Sequence, residues 1–159
     1  MGNKLNKFQK GFTLIEILVV IGILSILLAI VLIAINPQQQ FQQANNTQRS
    51  SDVSAILNAI SSYAAQNNGD LPAGIAATAK TLGKPTAADI VDLCSALVPT
   101  YIADLPMDPT TGTVTGGDTP CATATTAYDT GYTVQTSAGN RVTVSAPDAQ
   151  GGETISITR

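Results

Sequence analysis

Lys10-Gly11-Phe12-Thr13-Leu14-Ile15-Glu16 stands at the head of an almost uncharged apolar run from Ile17 to Ile35. Phe12 to Ile35 is 24 residues, about 36 Å as a helix, enough to cross a hydrocarbon core of about 30 Å with some tilt. One carboxylate, Glu16, sits at the edge of this segment. An acid inside a bilayer helix costs roughly 2.5–3.5 kcal/mol on insertion scales, so it needs a partner. Nothing nearby in this segment supplies one, so the partner is expected from another chain or from a newly made terminus. This reading points to assembly.

The first eleven residues carry Lys4, Lys7 and Lys10 and have no apolar core. An ordinary secretory signal is apolar before its cleavage site and is discarded. Here the apolar run follows Gly11 and would be kept. The three lysines place the N-terminus in the cytoplasm by the positive-inside rule. An uncleaved signal anchor would have the same topology.

Gly11-Phe12-Thr13-Leu14-Ile15-Glu16 resembles the processing site of type IV pilins and of the pseudopilins of type II secretion and DNA-uptake systems. The resemblance implies cleavage after Gly11 by a prepilin peptidase and N-methylation of the new terminal residue, Phe12. It implies that Glu16 pairs with the terminal ammonium of a neighbouring subunit. It further implies an assembly ATPase and a membrane platform protein as partners, together with identical or related subunits and, before assembly, membrane lipid. The expected location is the cytoplasmic membrane as a single-pass precursor, then a surface pilus.

The remaining chain has room for one small domain. Removal of the leader leaves five Lys and Arg against eleven Asp and Glu, a net of −6. Arg49, Lys80, Lys84, Arg141 and Arg159 are scattered, and nucleic-acid binding needs clustered cations, so none is expected. The chain has no histidine, which removes the commonest general base and metal ligand. No nucleophile–base pair or metal constellation is visible, so no enzyme, cofactor or metal is expected.

Pro37 interrupts the apolar helix and predicts a kink or a melted turn there. Beyond a Gln- and Asn-rich stretch, Val53, Ile56, Leu57, Ile60, Tyr63 and Ala64 recur at helical spacing, and Asn68-Gly69 supplies a stop. One long helix, Phe12 to Asn67, bent near Pro37, is therefore expected. Leu71 to Pro85 reads as a loop. Thr86-Ala87-Ala88-Asp89 resembles a capping box and predicts a short helix carrying Ile90, Val91, Leu93, Cys94 and Leu97, ended by Pro99. Tyr132–Thr136, Arg141–Ser145 and Thr154–Thr158 alternate as strands, the first two joined by a turn. The expected class is α+β. A long bent N-terminal helix, membrane-spanning in its first half, lies on a small antiparallel sheet of about three strands, the packing being implied by the resemblance. The segments are a leader (1–11), a membrane or filament-core half-helix (12–35), an amphipathic half-helix (36–69) and a C-terminal domain (70–159).

Outside the cell, Cys94 and Cys121 are expected to form a disulfide. Asp104, Asp108 and Asp118 read as solvated turn residues rather than a calcium loop, because they lack its regular alternation. Asn45-Asn46-Thr47 matches a glycosylation pattern inside an expected helix. The family resemblance leaves two functions open, a pilus subunit and a secretion or DNA-uptake pseudopilin. A membrane-anchored binding domain is the alternative if the leader match is accidental.

Overall fold

The computed structural model describes residues 11–84, 88–116, 119–121 and 127–159. Its contacts divide the chain into two compact units, Met1–Gln40 and Phe41–Arg159.

In the first unit, helix α1 runs Leu14–Ile35 and none of its residues is buried. Asn36 ends it in the left-handed region, φ 45° and ψ 77°, and helix α2 begins at once, Pro37–Gln66. The break has a local cause. Proline disfavours the α conformation in the residue before it but is well suited to the first position of a helix, where its missing N–H is not needed. Asparagine tolerates the left-handed conformation better than most side chains.

In the second unit α2 supplies Val53, Ile56, Leu57, Ala59 and Ile60 to a single hydrophobic core. At its other end the helix closes as expected of Asn-Gly. Asn68 takes φ 55°, Gly69 takes φ 92°, and the Gly69 N–H donates to the Ala64 carbonyl at 2.8 Å, the long bond of a Schellman cap.

Six strands are present among the described residues, and five of them follow one another in the order β2-β1-β4-β5-β6. They are β1 Lys80–Gly83, β2 Ile90–Val91, β3 Thr113–Thr115, β4 Ala127–Ser137, β5 Arg141–Ala146 and β6 Ile155–Thr158. β4, β5 and β6 form the expected antiparallel meander, with Val134 opposite Val144 and Val144 opposite Ile157. Alternate residues Tyr128, Thr130, Tyr132, Val134, Val142, Val144 and Ala146 are buried, the period-2 pattern of a half-wet sheet.

The sheet exceeds the expectation of about three antiparallel strands, and β1–β2 is a parallel pair. Three features had hidden this. β1 lies in a stretch whose Ala, Gly and Pro content reads as loop; only Leu82 and Gly83 of it are buried. β4 starts five residues earlier than its clear alternation because Gly131, at φ 77°, interrupts the signal. Glycine is required there, since a Cβ would stand 2.7 Å from Asp108 Cβ and 2.8 Å from Thr111 Oγ1. The third is the helix expected from Thr86, which is corrected. Thr86 and Ala87 lie outside the described residues, but Ile90–Val91 is a strand beside Thr81–Leu82. Two β-branched residues suit that extended pairing. The helix is a single turn, α3 Cys94–Leu97, started by Asp92, whose Oδ1 accepts the Cys94 N–H at 2.9 Å.

Candidate functional site

Gly11, Phe12 and Thr13 precede α1 and are exposed and non-helical. Phe12 is 80% exposed, and the space around Gly11 is open. A peptide bond between Gly11 and Phe12 is thus outside any helix, in the form a peptidase cleft can take up. Lys4, Lys7 and Lys10 lie outside the described residues.

Thr13 caps α1. Its Oγ1 accepts the Glu16 N–H at 3.3 Å, and Glu16 Oε2 accepts the Thr13 N–H at 3.4 Å. The two bonds form a capping box, which satisfies two of the amides that a helix start leaves open. The Glu16 carboxylate thus has a neutral local partner, which leaves its charge uncompensated. Its local partner is a backbone N–H at the positive end of a helix dipole. The spacing Thr13-x-x-Glu16 is itself the sequence signature of such a cap.

Along α1 the large aliphatic side chains stand 48–83% exposed. At 22 residues the helix is about 33 Å long. Ser25, within it, donates its hydroxyl to the Ile21 carbonyl at 2.7 Å, so the polar atom is satisfied inside the helix, as a lipid or protein-core setting requires.

Residues 6–32 match the family model described as the prokaryotic N-terminal methylation motif. This chain carries the prepilin motif of type IV pilins and pseudopilins. The match takes in Gly11, Phe12, Glu16 and most of α1. Comparisons with curated proteins and with solved structures give no match. The motif supports a pilin-like or pseudopilin precursor, and with the exposed apolar helix that follows it suggests a membrane-anchored one. It implies processing by a prepilin peptidase and assembly into a filament of pilin-type subunits, and the family it marks is structural, not enzymatic.

The Phe41–Arg159 unit is fastened at two places. Cys94 and Cys121 are bonded, Cα–Cα 5.4 Å, and Asp104 Oδ1 accepts the Cys121 N–H at 3.1 Å. Tyr128, close to Cys94 Sγ at 3.1 Å, donates its hydroxyl to Asp92 at 2.8 Å. Burial, then the Asp92 bond, pushes the Tyr128 phenol above its ordinary value.

The second fastening was missed by sequence reasoning. Arg49, counted as one of five scattered cations, has a fully buried side chain, and so has Asp108. Arg49 Nε donates to Asp108 Oδ2 at 2.6 Å and Nη2 to Oδ1 at 3.0 Å, a two-pronged pair. Nη2 also donates to Thr110 Oγ1 at 2.6 Å, and Nη1 to Asn46 Oδ1 at 3.0 Å. Asp108 further accepts the Thr110 and Thr111 N–H groups, at 2.8 and 3.0 Å. Among the described residues no buried side-chain nitrogen or oxygen lacks a partner.

The reading of Asp108 as a solvated turn residue is thus corrected. Burial pushes its carboxyl up, but Arg49 and the Thr110 and Thr111 bonds overcome this and hold it well below the usual carboxylate range. The signal available in the sequence was weak: an Arg four residues before Val53, in line with the apolar stripe. Asp104 is half-buried and serves backbone amides, Leu105 N–H among them at 2.8 Å. Asp118 lies outside the described residues. Among the residues that are described, no group of three or more acidic, Cys or His side chains is placed to hold a metal. Asn45 donates its side-chain amide to Gln150 at 3.2 Å from within α2.

Proposed function

We propose that the protein is a structural subunit of a type IV pilus, cleaved after Gly11, N-methylated at Phe12 and polymerised through α1. The observation that carries this reading is the prepilin motif joined to a 22-residue helix with no buried residue. Such a helix needs an apolar surrounding on every side. Lipid supplies it to the precursor, and the helices of other subunits supply it in a filament, where van der Waals packing replaces lipid contact.

Glu16 is the docking acid in this reading. In the single subunit its carboxylate is held at the Thr13 N–H, a neutral donor. The terminal ammonium of a neighbouring processed chain is a charged donor and makes a stronger bond. A subunit in the wrong register would leave one charge unpaired in an apolar bundle, which is strongly unfavourable. The assembly ATPase and platform protein would extract subunits from the membrane.

The test is a Glu16→Ala variant in the native cell. Cleavage should continue, while filaments recovered by shearing and counted by electron microscopy should fall at least tenfold. Normal filaments from this variant would remove the docking role.

The motif equally marks pseudopilins. That second reading is favoured if the gene lies in a secretion cluster and long surface filaments are never recovered.

A further inference from the structure

We infer that the buried Arg49–Asp108 pair sets the axial register of α2 on the sheet. The apolar stripe alone leaves that register poorly determined. Slide α2 by three residues, about 4.5 Å along its axis, so that residue n+3 takes the place of residue n. Ile56 then stands for Val53, Ala59 for Ile56, Ile60 for Leu57 and Tyr63 for Ile60, apolar for apolar, and of the five core positions only that of Ala59 receives a polar residue, the small Ser62. The side-chain volumes fit less well, but the hydrophobic pattern survives at four of the five positions.

The polar residues do not survive the slide. Asp52 moves into the place of Arg49 and meets Asp108, so that two carboxylates share a buried site and one must take up a proton or be expelled. Tyr132, whose hydroxyl donates to Asp52 at 2.8 Å, would face Ala55 and lose its acceptor. Arg49 would move to the position of Asn46, beside Glu153, which is exposed, and an exposed pair returns little. Packing disfavours the slid state, and charge is what excludes it. Buried ionic groups are commonly neutral or costly for stability compared with apolar replacements, and fixing a register is their best-attested use. The other charged groups around the pair agree with this placement. Asp148 accepts the Thr111 hydroxyl at 2.9 Å, and Asn46 is held between the Gln150 carbonyl and Glu153 at 2.8 and 3.0 Å. The inference concerns the domain alone and stands whether or not the filament reading does.

A cross-link reads the register directly. Arg159 Nη1 donates to Asn58 Oδ1 at 2.7 Å, so Asn58→Cys with Arg159→Cys marks the native register. Ser61→Cys with Arg159→Cys marks the slid one. The full-length chain in detergent is treated with a short thiol cross-linker, in three backgrounds: unchanged, Arg49→Met with Asp108→Leu, and Asp108→Asn. In the unchanged background only the 58–159 pair should link. In the double apolar background the 61–159 link should rise at least tenfold. Asp108→Asn, which changes no shape and removes the second carboxylate, should give a smaller rise. A 61–159 link that stays at background in both variants overturns the proposal. Loss of folded protein in both overturns it as well, because the pair would then serve stability and not register.

Discussion

Arg49 and Asp108 carry the sharpest expectations at the scale of single residues. Removing one partner leaves the other as a buried, uncompensated charge. Arg49→Met or Asp108→Ala should therefore lower stability by about 3–5 kcal/mol, read by denaturant unfolding. The double apolar variant should recover most of the loss. The pair also makes stability depend on pH. The folded Asp108 carboxyl lies below its ordinary value. Its contribution is thus complete above the unfolded carboxylate value of about 3.9 and is lost as pH falls below that, toward the depressed folded value. Asp52 acts in the opposite sense, because burial holds its carboxyl above the ordinary value. The comparison is therefore between the parent and Asp108→Asn. The parent should lose stability more steeply below about pH 4, and equal slopes would show that the pair carries no linkage. Arg49 was illegible in the sequence because its partner lies 59 residues away in the chain. No local pattern tells a buried arginine from a solvated one.

The elements divide according to how local their causes are. α1, the break before Pro37, the Asn68-Gly69 stop, β4 from Tyr132 onward, β5 and β6 follow from periodicity and backbone preference within a few residues, and could be read directly. β1, β2 and β3 could not. They are two to four residues long and are held by pairing to β4 or to each other, so the information that makes them strands lies elsewhere in the chain. The disulfide works at this scale too. Asp108, the partner of the α2 arginine, lies inside the segment it closes. Cys94→Ser with Cys121→Ser should cost about 2–4 kcal/mol, mainly by freeing the unfolded chain. Because Arg49 holds that segment from the other side, hydrogen exchange at the Asp108, Thr110 and Thr111 amides should stay within about tenfold of the slowdown lost globally. Selective opening of those amides alone would show that the disulfide, and not the ion pair, secures the loop.

The whole molecule joins two surfaces with opposite needs: a helix that no aqueous setting suits, and a small α+β domain with its own core. The first was legible almost entirely from Phe12 to Ile35, and it overlaps the prepilin motif, which implies processing by a prepilin peptidase. The outward chemistry of the second was much less legible, because the Gly-, Thr- and Asp-rich segments carry no periodic signal. In the proposed function, what links them is a cut between Gly11 and Phe12. The most direct measurement is therefore the intact mass and N-terminal sequence of the protein taken from its native cell envelope. A chain beginning at N-methylated Phe12, with Cys94 and Cys121 oxidised, is the expected result. A mature population that still begins at Met1 or Gly2 would contradict the prepilin pathway and leave an anchored domain in its place.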